Sequence, residues 1–449
     1  MPVFELAGEV SAPVGEVFAW HARDGAFSRL APPGSRFREI EHTGGISDGA
    51  RNVFDLRAGP FWIRWVALHD GYVASEQFRD TQILGPLPRW VHTHSFRQSD
   101  GYSVVSDHVD YALPGGGLVN QFSSLVEARF LEPMFRFRHA RTSQDIERHL
   151  RYDRPRGKVA VSGSTGFIGS ALVPYLSTAG HEVVRIKRAD AVAGNVPTGC
   201  DAVVHLSGEK IAGRWTASKK RRIYDSRIQT TRAISERIAR MDEPPRALIC
   251  ASAVGLYGDT EDIWVDEAAS AGRGFLADVV RDWENATAAA RDAGVRVVNI
   301  RAGVVVGSSG GIVAQLRPLM LAGGGVIVGS GDQWVSWIGL DDLVGVFEWA
   351  LHLDVEGAVN AVSPVPVQMS TFMSEMGRSL RRPVGLRVPE GLLRRVLGES
   401  AALVLDSQRV RPEKLIGGGF TFLTETLDAA FGWELHGVAA KYEPRVDGG

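Results

Sequence analysis

Lys158-Val159-Ala160-Val161-Ser162-Gly163-Ser164-Thr165-Gly166-Phe167-Ile168-Gly169 runs an apolar strand straight into a glycine-punctuated turn and then into a helix. The three glycines have different tasks. Gly163 permits the tight turn, Gly166 lets backbone approach a ligand with no side chain between, and Gly169 lets the helix pack closely on its strand. Amides at the helix start face an anion. The apolar run before the turn, Ala171–Leu176 after it and a second strand at His181–Ile186 complete a βαβ unit. In that setting the turn predicts a site for a dinucleotide pyrophosphate.

Working outward, the second strand selects the nicotinamide cofactor. An acidic side chain about 20 residues past the first glycine would accept hydrogen bonds from the ribose hydroxyls of NAD(H). This strand ends instead in Arg185, Lys187 and Arg188, which suit a 2′-phosphate. NADP(H) is therefore preferred and NAD(H) is the alternative, with Asp190 as its competing signal. A solvated strand end is the other reading of these cations. A third strand, Asp201–His205, leads into Leu206, Ser207 and Gly208, small enough after the leucine for a cofactor to lie against backbone.

Strands separated by helical segments continue to the C-terminal region, with strands at Lys158–Ser162, Glu182–Lys187, Ala202–Leu206, Ala247–Ser252 and Arg296–Ile300, and a weaker one at Val326–Val328. Helices fall at Ala217–Arg240 and Phe275–Ala293. This alternation predicts an α/β doubly wound Rossmann-type domain over 158–365, closed by a small α+β region over 366–449 on the substrate side. Gly323–Gly325 and Gly329 read as turns or as part of a lid.

Before the turn the pattern is different. Phe4–Val10 alternates as a half-buried strand, Ser11-Ala12-Pro13 opens a helix through Val14, Val17, Phe18 and Trp20, and strands follow at Phe37–His42, Arg51–Arg57, Phe61–Asp70, Ala74–Asp80, Val91–Gln98 and Tyr102–Tyr111. Leu118, Phe122, Leu125, Val126, Phe130 and Met134 then recur at helical spacing. One long helix across an antiparallel sheet is expected for residues 1–150, an α+β layer arrangement. The polar, proline-interrupted segment 151–157 reads as a linker.

The chain has 449 residues, 44% of them hydrophobic and 23% charged, with a net charge of −2. No bulk charge points to nucleic acid or an anionic membrane surface. No apolar run approaches the ~20 residues of a membrane helix, and the N-terminus lacks the pattern of a secretion signal. Cys200 and Cys250 form no metal-spaced cluster and read as reduced core residues, so a cytoplasmic location is expected. His92 and His94 would share one face of a strand; no third ligand is evident, and no metal is expected.

Several motifs carry a family resemblance. Thr165–Gly169 with Leu206–Gly208 resembles the extended short-chain dehydrogenase/reductase superfamily. Gly208–Ile211, Trp215, Ser226–Ile228, Thr231, Ser252–Gly258, Arg281–Glu284, Asn299–Val305, Gly329–Gln333, Ser336–Ile338, Asp341–Leu343 and Ser407–Val410 resemble its YfcH-like, epimerase-like subgroup. Residues 1–150 are similar to the START and polyketide-cyclase helix-grip fold, on the Ala12–Trp20 helix start, the Leu30–Pro33 turn and the long last helix. That likeness implies an apolar cavity and a hydrophobic ligand, with Trp62, Trp65 and Phe78 as candidate lining residues or plain core.

The resemblance implies a small-molecule substrate and cofactor contacts from Gly163, Ser164, Thr165, Gly166, Phe167, Ile168, Gly169, Lys187, Arg188, Leu206, Ser207, Gly208, Arg227 and Ser252. Active members of the superfamily carry a Tyr followed four residues later by a Lys, which lowers the phenol pKa. Phe275–Glu284, where that pair belongs, holds neither. Ser252 and Tyr257 are the catalytic candidates that remain. Ser252 also reads as a strand-end cap, and Tyr257 precedes the expected helix with Glu261 in the place of a lysine. The sequence therefore supports two functions: an NADP(H)-binding oxidoreductase or nucleotide-sugar-epimerase-like protein, or a non-catalytic NADP(H)-dependent sensor or scaffold. Glu209, Asn299, Arg301, Trp337 and Asp341 stand at strand ends and cleft loops, first as structural supports.

Overall fold

The computed structural model describes residues 2–35, 37–115, 123–152 and 155–439. The chain forms two compact units: Met1–Asp153 with Ser177–Gly180 and His436–Gly449, and Arg154–Leu176 with His181–Leu435.

In the first unit, β1 (Val3–Val10) is followed by α1 (Val14–Ala22) and by β2 (Phe37–Thr43), β3 (Arg51–Ala58), β4 (Phe61–Val73), β5 (Gln77–Leu84), β6 (Arg89–Ser99) and β7 (Tyr102–Ala112). They make one seven-stranded antiparallel sheet in the order β1-β7-β6-β5-β4-β3-β2. β6 and β7 bury alternate residues, the period of a sheet with one covered face. Pro13 precedes the first turn of α1, whose Val17, Phe18 and Trp20 enter the core. The strand expected at Ala74–Asp80 begins only at Gln77, because Ser75 adopts φ 61° and the chain turns there.

The closing helix differs from its expected form. A short helix at Ser123–Val126 passes through a π turn at Glu127–Leu131 into α2 (Glu132–His149). A π turn adds a residue and swings the side chains before it around the axis. Leu125 and Phe130 are 64% and 62% exposed, while Leu131, Phe135, Phe137, Ala140 and Ile146 are buried. Leu118 and Phe122 lie outside the described residues.

A cavity of about 560 Å³ opens inside this unit, with Phe54, Trp65, Phe78 and Trp90 in its wall. Trp62 is not part of it: its neighbours on β4 alternate faces, and its ring lies half-exposed with the Arg38 guanidinium 4.9 Å from the centroid.

The second unit carries β8 (Lys158–Ser162), α3 (Phe167–Thr178), β9 (Glu182–Ile186), β10 (Ala202–His205), α4 (Ala217–Ala239), β11 (Ala247–Ala253), α5 (Phe275–Asn285), β12 (Arg296–Ala302), α6 (Leu340–His352) and β13 (Gly357–Ala361). Six strands form one sheet in the order β13-β12-β11-β10-β8-β9, every neighbouring pair parallel. Continuous apolar runs such as Val159–Val161 and Leu248–Ile249 are fully buried, as strands covered on both faces require. The weak strand Val326–Val328 does not join this sheet; it pairs with Leu386–Val388, and the sixth place is taken by β13.

The C-terminal segment does not bury a core alone. Met369, Phe372, Met373, Met376, Ala430 and Phe431 share one hydrophobic cluster with Val306, Val313, Met320 and Trp337. Cys200 and Cys250 are buried and unbridged. Among the described residues no helix is long and apolar enough to cross a membrane.

Candidate functional site

The glycine turn lies at the carboxyl end of β8, beside the end of β10. Gly163 has φ 70°, and a Cβ there would stand 2.8 Å from the Leu206 carbonyl carbon and 2.9 Å from the Ser207 nitrogen. Gly169 is tighter, since a Cβ would stand 2.2 Å from the Gly163 carbonyl oxygen. These glycines thus let turn, helix and neighbouring strand meet backbone to backbone. Gly166 is different: its only close neighbour would be the Gly163 oxygen at 3.2 Å, and the rest of its surroundings are open. The first-turn amides of α3 have no carbonyl one turn earlier in the helix to bond. A cradle closed at Gly163 and Gly169 and open at Gly166 fits the phosphates of a dinucleotide.

The Phe167 ring is held from above. Cβ atoms added at Gly307 and Gly310 would lie 2.8 and 2.3 Å from it, so only glycines admit the ring there. Ser162, the last residue of β8, has its Oγ 2.6 Å from His205 Nδ1 on β10. Burial pushes the His205 pKa down to about 4, so the ring is neutral.

Lys187 and Arg188 are exposed at the carboxyl end of β9, where a short helix, Arg188–Ala193, begins. Asp190 is one turn into that helix, where its Oδ1 accepts a long bond of 3.4 Å from Asn195.

The loop after β10 is fastened to α4, whose N-terminus is capped by the Thr216 side chain. The Glu209 amide donates to Ser226 Oγ at 3.0 Å, and its carboxylate accepts from Lys219 Nζ at 2.9 Å. That lysine holds the Glu209 carboxyl below its usual pKa. Arg227 donates to the Glu209 and Ile223 carbonyls, and its guanidinium lies 5.2 Å from the Trp283 ring centroid. A Cβ at Gly208 would meet that guanidinium at 3.2 Å. Burial pushes the Arg227 pKa down to about 10, and no carboxylate among the described residues forms an ion pair with it.

The two catalytic candidates belong to one buried network. Ser252 Oγ, at the end of β11, donates to Glu284 Oε1 at 2.6 Å. Arg301 on β12 grips the same carboxylate with Nε and Nη2, both at 2.8 Å. Its Nη1 donates to the Tyr257 hydroxyl at 2.9 Å, and that hydroxyl donates to Asn360 Oδ1 at 2.7 Å. Burial opposes the Arg301 charge, but Glu284 outweighs it and keeps the guanidinium pKa above its ordinary value. Burial also raises the Tyr257 pKa, the opposite of what a lysine-assisted phenol requires.

Ser252 and Tyr257 are therefore brought together, through Glu284 and Arg301 rather than by direct contact. Arg301 is the link between them, and Glu284 and Asn360 were not singled out as site residues by sequence. Glu284 had a signal, standing on the helix that should have carried the Tyr and Lys. Asn360, on a strand not foreseen, had none.

Residues 159–362 match the NAD dependent epimerase/dehydratase family, and residues 388–434 match a domain of unknown function, DUF1731. An epimerase family protein of Mycobacterium bovis is 41% identical over 292 residues, covering 61% of this chain and 96% of the relative. A solved structure described as the nucleoside-diphosphate sugar epimerase of Corynebacterium glutamicum superposes with TM-score 0.79 at 32% identity, covering 96% of this chain and 90% of that one. The human epimerase family protein SDR39U1 (isoform 2), solved with NADPH, superposes with TM-score 0.58 at 31% identity over 62% of this chain and 99% of its own. The turn, the parallel sheet and these relatives agree, and the chain belongs to the NAD dependent epimerase/dehydratase family.

Proposed function

We propose that the second unit binds NADP(H) and works on a small-molecule substrate as an oxidoreductase or nucleotide-sugar-epimerase-like protein of slow acid–base chemistry. The observation that carries this reading is the cradle at Gly163–Gly169, closed except at Gly166 and followed by Arg227, a half-buried cation without a carboxylate ion pair among the described residues. Leu206, Ser207 and Gly208 would lie along the cofactor. Lys187 and Arg188 would meet a 2′-phosphate, and the NADPH-bound human relative supports that preference over NAD(H).

When bound, a nicotinamide supplies hydride chemistry, and the protein supplies orientation and polar contacts. Ser252 is the group we assign to the substrate oxygen, with Glu284 accepting its hydrogen bond and Arg301 holding Glu284 in place. Tyr257 acts through Arg301 as a positioning residue. Neither hydroxyl proton is offered outward, because Glu284 and Asn360 accept them.

That same feature favours a second reading, a sensor or scaffold whose cofactor binding is not coupled to turnover. Calorimetric or fluorescence titration of the full chain with NADPH and NADH tests binding, and absence of both would refute either reading. Oxidation of bound NADPH across a carbonyl, enone and nucleotide-sugar panel supports the enzyme; tight binding with no oxidation supports the sensor. For the first unit we infer a START-like, helix-grip domain that holds a hydrophobic molecule, supported by its sheet, its closing helix and its cavity of about 560 Å³.

A further inference from the structure

The register of the first unit's sheet gathers titratable side chains on one face. Asp80 of β5 stands opposite His92 of β6, and His94 stands opposite Asp107 of β7. Residues two apart on a strand share a face, so the His92 and His94 rings come within 3.8 Å of each other, centroid to centroid. α2 adds His139 from above.

Hydrogen bonds to Asp107 settle where the ring protons are. His92 Nε2 and His94 Nδ1 each lie 2.8 Å from Asp107 Oδ1, and His139 Nε2 lies 2.5 Å from its Oδ2. An ionised carboxylate only accepts, so these nitrogens carry the protons. In the neutral rings His92 Nδ1 and His94 Nε2 are then the lone-pair nitrogens, and both face Asp80 Oδ2, at 3.1 and 3.4 Å. The three atoms lie within 4.8 Å of one another.

Three electron-rich atoms that converge in a buried place need positive charge between them. A proton on His92, shared between Asp80 and Asp107, would serve that ring alone, whereas one divalent cation accepts both lone pairs and the carboxylate. The distances suit this, because a tetrahedral site with bonds of about 2.0–2.1 Å has ligand-to-ligand edges of about 3.3 Å. A carboxylate behind each imidazole is the usual way such ligands are oriented.

A second observation points outward from the cluster. Asp80, His92 and His94 border the cavity, as do His69 and Asn52. Among the described residues His69 Nδ1 and Asn52 Oδ1 have no hydrogen-bond partner, although the two residues are only 7% and 5% exposed. Unsatisfied polar atoms in a buried wall are costly unless a ligand or water meets them.

We propose that Asp80, His92 and His94 bind a divalent first-row transition metal ion such as zinc, oriented by Asp107. Three protein ligands leave a coordination position open. It opens to the cavity, where it takes an oxygen of an otherwise apolar organic molecule. The site belongs to the first unit and is independent of the nucleotide reading.

The test uses the full chain, stripped with chelator and dialysed, then titrated with zinc sulfate by calorimetry and with cobalt(II) by visible absorption. One zinc per chain and the d–d bands of cobalt(II) in a nitrogen and oxygen site are expected. Asp80→Asn, nearly the same shape, and His94→Gln weaken zinc by more than about tenfold, the loss that changing even an outer partner brings. His108→Gln, an exposed histidine paired with Glu5, leaves affinity unchanged. Near-ultraviolet circular dichroism establishes that each variant is folded. A folded parent that takes up no zinc and shows no cobalt bands would overturn the proposal, leaving a cluster held by protons. Undiminished zinc binding in folded Asp80→Asn would overturn it equally.

Discussion

Substituting Gly166 and Gly169 one at a time separates cofactor contact from packing. At Gly166 an added methyl meets only the Gly163 oxygen, 3.2 Å away, and the backbone is not in the left-handed region. The neighbour must yield by a few tenths of an ångström, while the unfolded chain loses about 0.4–1 kcal/mol of freedom that offsets the strain. Gly166→Ala should therefore melt within a few degrees of the parent. If a phosphate approaches that backbone, the methyl displaces it and removes one charge-assisted hydrogen bond, about 1.5–3 kcal/mol. That is roughly 10- to 150-fold in Kd. Gly169→Ala behaves differently, since its methyl would lie 2.2 Å from the Gly163 oxygen and 2.8 Å from Ser164 Cα, both backbone. Overpacking costs about 1–3 kcal/mol, and at about 2–4 °C per kcal/mol the Tm falls by about 2–12 °C. Fluorescence titration with NADPH and a thermal melt on the same samples read both quantities. A Gly166→Ala variant that binds NADPH within twofold of the parent would refute the phosphate assignment, whatever its melting temperature.

Arg227→Met keeps the contact with Trp283 and removes the charge, and should weaken NADPH about tenfold or more while flattening the salt dependence of binding; calorimetry at two ionic strengths checks it. Lys187→Ala with Arg188→Ala should cost NADPH about tenfold and leave NADH within about threefold, read by parallel titrations. Arg301→Met strands the Glu284 carboxylate in a largely buried place and should destabilise by about 3–5 kcal/mol, measured by urea unfolding. His205 is fully buried and neutral, with a pKa near 4 against 6.5 when unfolded. The unfolded chain thus binds the extra proton between those values, and stability falls as pH is lowered through them. His205→Gln should lose about 2 kcal/mol less than the parent between pH 7 and pH 5, in urea midpoints at the two pH values.

The second unit was legible because its signals are local. A glycine turn, a continuous apolar strand and the next strand declare a βαβ unit within thirty residues, and β8, β9 and β10 stand where that pattern puts them. β13 escaped because Gly-Ala-Val-Asn-Ala is short and carries no turn chemistry of its own; its place comes from pairing with β12. Phe130 was misread because one π turn breaks the 3.6 periodicity. Sites assembled across strands were the hardest. His92 and His94 stand two apart in sequence, but Asp80 reaches them only through the β5–β6 register. Asn360 reaches Tyr257 only across about a hundred residues.

The helix where the Tyr and Lys were expected joins two regions that the sequence keeps apart. Trp283 and Glu284 are consecutive on α5. Trp283 supports the Arg227 guanidinium on one side and donates to Thr231 Oγ1 at 2.9 Å. Glu284, on the other, holds Ser252 and Arg301. An anion that paired with Arg227 would act on a cation whose charge burial now disfavours, and whose support is the residue next to the carboxylate of the inner network. Movement of α5 is therefore felt at both places. Burial raises the Tyr257 pKa against the pull of Arg301, so the tyrosine stays protonated. Such an arrangement suits holding and orienting a ligand better than rapid proton transfer, and any turnover should be limited by proton transfer. A solvent isotope effect clearly above unity on NADPH oxidation would bear this out, and one near unity would refute it.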